Sequence, residues 1–206
     1  MVTQQSISAF RFPNTLFDVV ALATSAGGLN ALTQILVTLP VDFPAAITIV
    51  QHLDPHHRSL LAPILNRCTR LLVKQAETGD YLQAGTVYIA PPNWHLLVKP
   101  DGTLALTQTE RVNFTRPAAD VLFESVAESF KERAIAVILT GMGHDGAAGI
   151  QKVKQMGGIT IAQNQDTAEF FSMPSAAIKT KAIDFILPLN QITSTLVKLV
   201  RTGGVG

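Results

Sequence analysis

The stretch VVALATSAGGLNAL, residues 19–32, decides how the rest of the chain is read. It opens with apolar, partly β-branched residues that suit a buried strand. It then breaks into Thr-Ser-Ala-Gly-Gly, small residues fit for a tight turn. Leu29, Leu32, Ile35, Leu36 and Leu39 follow at helical spacing, and Pro40 closes the run. Strand, turn and helix in that order form the repeating unit of a parallel α/β sheet. Ser25 falls on the turn, where a serine either caps the coming helix or stands exposed for chemistry.

The same alternation runs outward from this unit. FDVVALA (17–23) and AAITIVQ (45–51) read as buried strands, and Ser59 to Cys68 reads as a helix capped near Arg58–Ser59. GTVYIA (85–90), HLLVKP (95–100) and TLALTQ (103–108) read as short strands, the last two paired as a hairpin across Pro100-Asp101-Gly102. A helix is predicted from Arg116-Pro117 to about Arg133, then a buried strand at AIAVILT (134–140). GMGHDGAAGIQKVKQMGG supplies a loop, a helix and a Gly-Gly stop. ITIAQN (159–164) is a further strand, Pro174 starts a helix, and AIDFILPL leads into a final helix to about Val200. Near-continuous apolar strands alternating with helices predict one doubly wound, mainly parallel sheet, helices on both faces, with a small antiparallel hairpin. The expected division is a short, loosely held leader over 1–16 and one α/β domain over 17–202.

Composition narrows the function classes. The 206 residues are 47% hydrophobic and 15% charged, with a net charge of +1, and mean hydropathy is +0.28. Such a chain can bury a large sheet. No Lys/Arg run exceeds pairs such as Lys131 and Arg133, so nucleic-acid binding by electrostatics is not expected. The single cysteine, Cys68, excludes an internal disulfide and fits a reducing compartment. The N-terminal residues lack a basic region followed by an apolar stretch, and no apolar run reaches spanning length. The expected location is cytoplasmic, without membrane insertion.

Open α/β sheets gather their chemistry outside the carboxyl ends of the strands. Ser25 follows the first strand, His52 follows the second in TIVQHLDPHHR, and Asp145 follows AIAVILT in GMGHDG. Each alone has a bland reading as a turn, loop or capping residue. Together they form a nucleophile, a base and an orienting acid. The helix after Ser25 aims free N–H groups at the turn, where each oxyanion donor is commonly worth about 3 kcal/mol. Other constellations are weaker. His52, Asp54, His56 and His57 resemble a metal cluster, but Pro55 breaks any helical face, and no metal is expected. ATSAGG is neither G-x-G-x-x-G nor a P-loop, which disfavours a nucleotide-binding domain. His144 reads as a loop histidine.

At these residues the chain resembles the CheB-type protein-glutamate methylesterase catalytic domain of bacterial chemosensory pathways. The matching motifs are ATSAGG for the family's A-S-T-G-G turn, VQHL, VYIAPPNWHL, RPAADVLFESVA, AVILTGMGHDGAAG and TIAQNQDTAEFFSMPSAAI, spread over Asp18 to Val200. The resemblance implies Ser25 as nucleophile, His52 as general base and Asp145 as its orienter. It implies hydrolysis of glutamate γ-methyl esters on chemoreceptor cytoplasmic helices, methanol release, deamidation of receptor glutamines by some members, and no cofactor. It also implies backbone oxyanion contacts at Met142 and Ala26, and a place for Arg116 near the cleft, as a substrate contact or a helix-start salt bridge. Two departures stand out. Ala26 replaces the family's threonine, and only about sixteen residues precede the first strand, too few for the usual receiver domain. The expected partners are a methylated receptor and a separate receiver or signalling domain. The competing expectation is a non-catalytic docking module for receptor or signalling-protein helices.

Overall fold

The computed structural model describes residues 10–13, 15–53 and 59–202. The strands are β1 (Val19–Thr24), β2 (Ala46–Gln51), β3 (Leu72–Gln75), β4 (Thr86–Ile89), β5 (His95–Val98), β6 (Leu104–Thr107), β7 (Ala134–Ile138), β8 (Ile159–Gln163) and β9 (Phe185–Leu187). The helices are α1 (Gly28–Thr38), α2 (Leu61–Asn66), α3 (Ala119–Phe130), α4 (Ala147–Gln155), α5 (Ser172–Lys179) and α6 (Leu189–Thr202). Seven strands form one parallel sheet in the order β3-β4-β2-β1-β7-β8-β9, and β5 and β6 pair antiparallel beside it. The doubly wound sheet and its hairpin are as the sequence predicts.

The strand sequences explain how the two faces differ. On β1, Val20 and Leu22 point into a layer of large side chains with Leu32, Ile35 and Leu36 of α1 and Ile192 and Leu196 of α6. Val19, Ala21 and Ala23 point the other way, toward Leu122, Phe123 and Val126 of α3. Alanines on this second face let α3 lie close to the sheet centre. Every β1 residue is buried, so the strand reads as an unbroken apolar run.

Four local features depart from the sequence reading. β3 was not expected: LVKQ has two apolar residues and sits at a sheet edge, where Leu72 is exposed. The first strand starts at Val19, and Asp18 just before it accepts from the Arg133 guanidinium and the Phe12 N–H through its carboxylate. α2 is shorter than predicted, with Ser59 Oγ accepting from Leu61 N–H at 3.1 Å; Arg58 lies outside the described residues. α3 begins at Ala119 after a cis Arg116-Pro117 bond, and ends in a 3-10 turn over Lys131–Arg133.

The described part of the expected leader makes contacts with the domain. Phe10 packs edge-on against Phe12 and Phe130 at 4.9 and 6.2 Å between ring centroids. Thr15 Oγ1 donates to the carbonyls of Phe17 and Val200. Residues 1–9 lie outside the described residues.

Candidate active site

Register brings two of the predicted residues together. β1 and β2 pair with Thr24 opposite Gln51, so the next residue on each strand, Ser25 and His52, emerges at the same sheet edge. The His52 N–H donates to the Thr24 carbonyl at 3.2 Å, tying the second strand end to the first. β7 lies on the other side of β1, and its following loop carries Asp145 back toward His52. His52 Nε2 and Asp145 Oδ2 are 2.8 Å apart. The switch point of the winding, between β1 and β7, therefore opens onto these residues.

The Ser25 turn is clamped on several sides. Its N–H donates to Thr140 O at 3.1 Å, and its carbonyl accepts from Gly28 N–H at 3.0 Å and Gln51 Nε2 at 2.8 Å. Thr140 Oγ1 donates to the Ala26 carbonyl at 3.0 Å. Gly141 passes so close that an added Cβ would lie 2.9 Å from the Ser25 Cβ. The N-cap of α1 is Gly27, at φ 77°, with no side-chain cap. Ser25 thus does not act as the helix cap. Neither its hydroxyl nor His52 Nδ1 has a hydrogen-bond partner among the described residues. The structure does not join nucleophile to base, a separation common before substrate binds.

Asp145 is almost fully buried and heavily hydrogen-bonded. Besides His52, its carboxylate accepts from Ala119 N–H at 2.5 Å, Asp120 N–H at 3.2 Å, Asn113 Nδ2 at 3.1 Å and Thr115 Oγ1 at 3.3 Å. Burial would push its pKa up, but the His52 contact, the Ala119 amide and the Asn113 amide outweigh it, and the group is held below the usual carboxylate range. With Asp145 ionised on Nε2, His52 is left with Nδ1 as the nitrogen able to take a proton. Asp120 shifts the other way. Burial raises its pKa, and the nearby Asp145 charge adds to this against the Gly149 N–H and Asn113 contacts.

The remaining candidates occupy defined places. The amides of Ala26 and Met142 have no acceptor among the described residues. The Met142 side chain is exposed, while its loop is fixed by Gly141 N–H on Phe170 O and Gly143 N–H on Ser172 Oγ. Arg116 lines a small cleft beside His52, but its guanidinium is already engaged. Nε and Nη2 donate to Asn93 Oδ1, and Nη1 donates to the carbonyls of Gln108 and Thr109. The expected helix-start salt bridge does not form among the described residues. Asp54, His56 and His57 of the weighed metal cluster lie outside those residues.

Three contributors escaped the sequence reading. Gln51 and Thr140 shape the Ser25 turn, and Asn113 bridges two buried acids, donating to Asp120 Oδ2 at 2.7 Å and to Asp145. Gln51 and Thr140 fall inside the motifs VQHL and AVILTGMGHDGAAG, Gln51 ending a strand and Thr140 following one, but the pattern assigns neither a role. Asn113 lies in a loop with no periodicity to mark it. A groove of about 780 Å³ extends from Ser25 between α1 and α2, lined by Leu29, Leu53, Leu60 and Ile64 among others.

Comparison with known proteins identifies the family and the fold. The sequence model of the CheB methylesterase family matches residues 20–196. A Leptospira interrogans relative is 40% identical over 183 residues, 89% of this chain and 95% of its own. The protein-glutamate methylesterase/protein-glutamine glutaminase of Symbiobacterium thermophilum is 40% identical over 193 residues, 94% of this chain and 52% of its own length. The crystal structure of the Thermotoga maritima CheB methylesterase catalytic domain superposes with a TM-score of 0.86 at 40% identity, covering 89% of this chain and 99% of that one. Among the described residues, no helix is long and apolar enough to cross a membrane. The chain belongs to the CheB methylesterase family.

Proposed function

We propose that this chain is a serine esterase that hydrolyses glutamate γ-methyl esters on the cytoplasmic helices of a chemoreceptor. The observation that carries this reading is the 2.8 Å contact of His52 with a buried, ionised Asp145, one residue past the strand end paired to that of Ser25. Ser25 Oγ attacks the ester carbonyl carbon while His52 Nδ1 takes its proton. The amides of Ala26 and Met142 receive the oxyanion. Collapse of the tetrahedral intermediate breaks the C–O bond to the methoxy group, which leaves as methanol with the proton from His52. Water then attacks the acyl-Ser25, passing its proton to the same nitrogen, and glutamate is released. Asp145 holds the ring and stabilises the imidazolium.

A side-chain amide presents the same carbonyl with ammonia as the leaving group, so the machinery extends to receptor glutamines. The protein works in the cytoplasm, on the soluble part of its receptor. No cofactor enters any step.

The test is methanol release from a methylated receptor cytoplasmic fragment by native protein and Ser25→Ala side by side. Loss of about 10³-fold or more in kcat is expected for the variant, with binding of the fragment retained. Binding without release by either protein would favour the docking module. Equal release by both would remove Ser25 from the chemistry.

A further inference from the structure

The loop between β6 and α3 exposes an aromatic ring from a strained position. Val112 and Thr115 exchange both backbone hydrogen bonds, Val112 N–H to Thr115 O at 3.2 Å and Thr115 N–H to Val112 O at 2.9 Å. The two residues between them, Asn113 and Phe114, both sit at left-handed φ, 51° and 65°. Asparagine tolerates that conformation; phenylalanine does not. The Phe114 side chain is 92% exposed, so packing within the chain does not repay the strain.

The turn is nevertheless rigidly held. Asn113 Nδ2 donates to both Asp120 and Asp145, Thr115 Oγ1 donates to Val112 O and to Asp145, and Arg116 ties down the preceding carbonyls of Gln108 and Thr109. The tip is thus fixed to the acid that orients His52, and Phe114 and His52 line the same small cleft. A strained, exposed aromatic fixed beside reactive groups serves a partner rather than the fold.

We infer that Phe114 is a specificity-determining residue that seats an apolar side chain of the substrate helix next to the methylated glutamate. Across Ser25 the groove formed by Leu29, Leu60 and Ile64 offers a second apolar flank. A helix carrying its ester between apolar neighbours touches both flanks, whereas a small ester touches neither. The inference rests on the esterase reading above and adds how the protein substrate is told from a small one.

The experiment compares Phe114→Gly with native protein on two substrates, the methylated receptor fragment and a capped glutamate γ-methyl ester. Glycine keeps the turn, because it adopts left-handed φ freely. The expected result is a fall of about tenfold in the ratio of kcat/KM for the fragment to kcat/KM for the small ester, carried by KM, with Phe114→Tyr restoring the native ratio. An unchanged ratio overturns the role of Phe114. So does an equal loss on both substrates, which would place the residue in the positioning of Asp145. Native protein inactive on both substrates overturns the esterase reading itself, and the role resting on it, a result distinct from an active enzyme with an unaltered ratio.

Discussion

Ser25 and Phe114 carry opposite kinds of local evidence. The Ser25 hydroxyl caps no helix and has no partner among the described residues, although its backbone is held by Thr140, Gly28 and Gln51. Ser25→Ala is therefore expected to unfold within about 0.5 kcal/mol of the native protein by urea denaturation; a larger loss would mean that the hydroxyl supports the turn. Phe114 is held in left-handed backbone while contributing no packing. Relief of strain worth about 1–2 kcal/mol, less about 0.5–1 kcal/mol for the greater freedom of unfolded glycine, predicts that Phe114→Gly is at least as stable as the native protein, by up to about 1.5 kcal/mol. An unstable Phe114→Gly protein would show that the ring packs in solution. At this scale the sequence marks Ser25 by its place between a strand and a helix. Phe114 carries no such mark, since backbone conformation in a loop depends on contacts from distant segments.

At the scale of elements, the N-terminus of α3 organises the acid. Its first amides are shared out in order: Ala118 N–H to His95 Nδ1 at 3.1 Å, then Ala119 and Asp120 N–H to Asp145. His95 is itself buried, with Nε2 3.0 Å from the Glu110 carbonyl. Asp145 thus caps a helix, though not α4, the one that its sequence position suggested. Because its folded pKa is depressed, its stabilising contribution is present above the unfolded aspartate value of about 3.9 and is lost as pH falls through the folded one. Asp145→Asn is expected to cost about 1–3 kcal/mol at pH 7, with the gap to the native protein narrowing below pH 4. Chemical denaturation across that range checks it, and a gap constant with pH would deny the carboxylate its role. α3 and α4 approach closely at Gly149, where an added Cβ would meet Phe123 Cβ at 2.5 Å and Asp120 Cα at 3.2 Å. Gly149→Ala should cost about 1–3 kcal/mol by overpacking and also lower turnover, because it pushes on the helix start that holds Asp145. Full activity in a destabilised variant would uncouple the two.

Over the whole molecule the sheet separates stability from chemistry. At the edge opposite Ser25, the fully buried Asp18 pairs with Arg133, whose Nη2 lies 2.8 Å from Oδ1 and also donates to Thr15 O at 3.0 Å. The Asp18 hydrogen bond, ahead of an opposing effect of burial, raises the Arg133 pKa further above its ordinary value. Arg133→Ala leaves that carboxylate unpaired and is expected to cost about 3–5 kcal/mol, read from the urea midpoint. Its kcat/KM at a temperature where it is folded should match the native value; a loss there would show that the two sheet edges communicate.

The parallel sheet, its two helical layers and the positions of Ser25, His52 and Asp145 were legible from residue pattern. Unbroken apolar strands and helical spacing are local patterns, and a residue just past a strand must lie at that strand's end. Folding was needed to see that Thr24 pairs with Gln51, that Asp145 turns back onto both His52 and α3, and that β3 joins the sheet edge. It also decided that the Arg116 donors go to Asn93 and to the carbonyls of Gln108 and Thr109, and that Asn113 and Phe114 stand in a strained turn beside the histidine. Those outcomes depend on register and on hydrogen bonds between segments far apart in the chain, and no local pattern encodes which distant group will satisfy a loop's polar atoms.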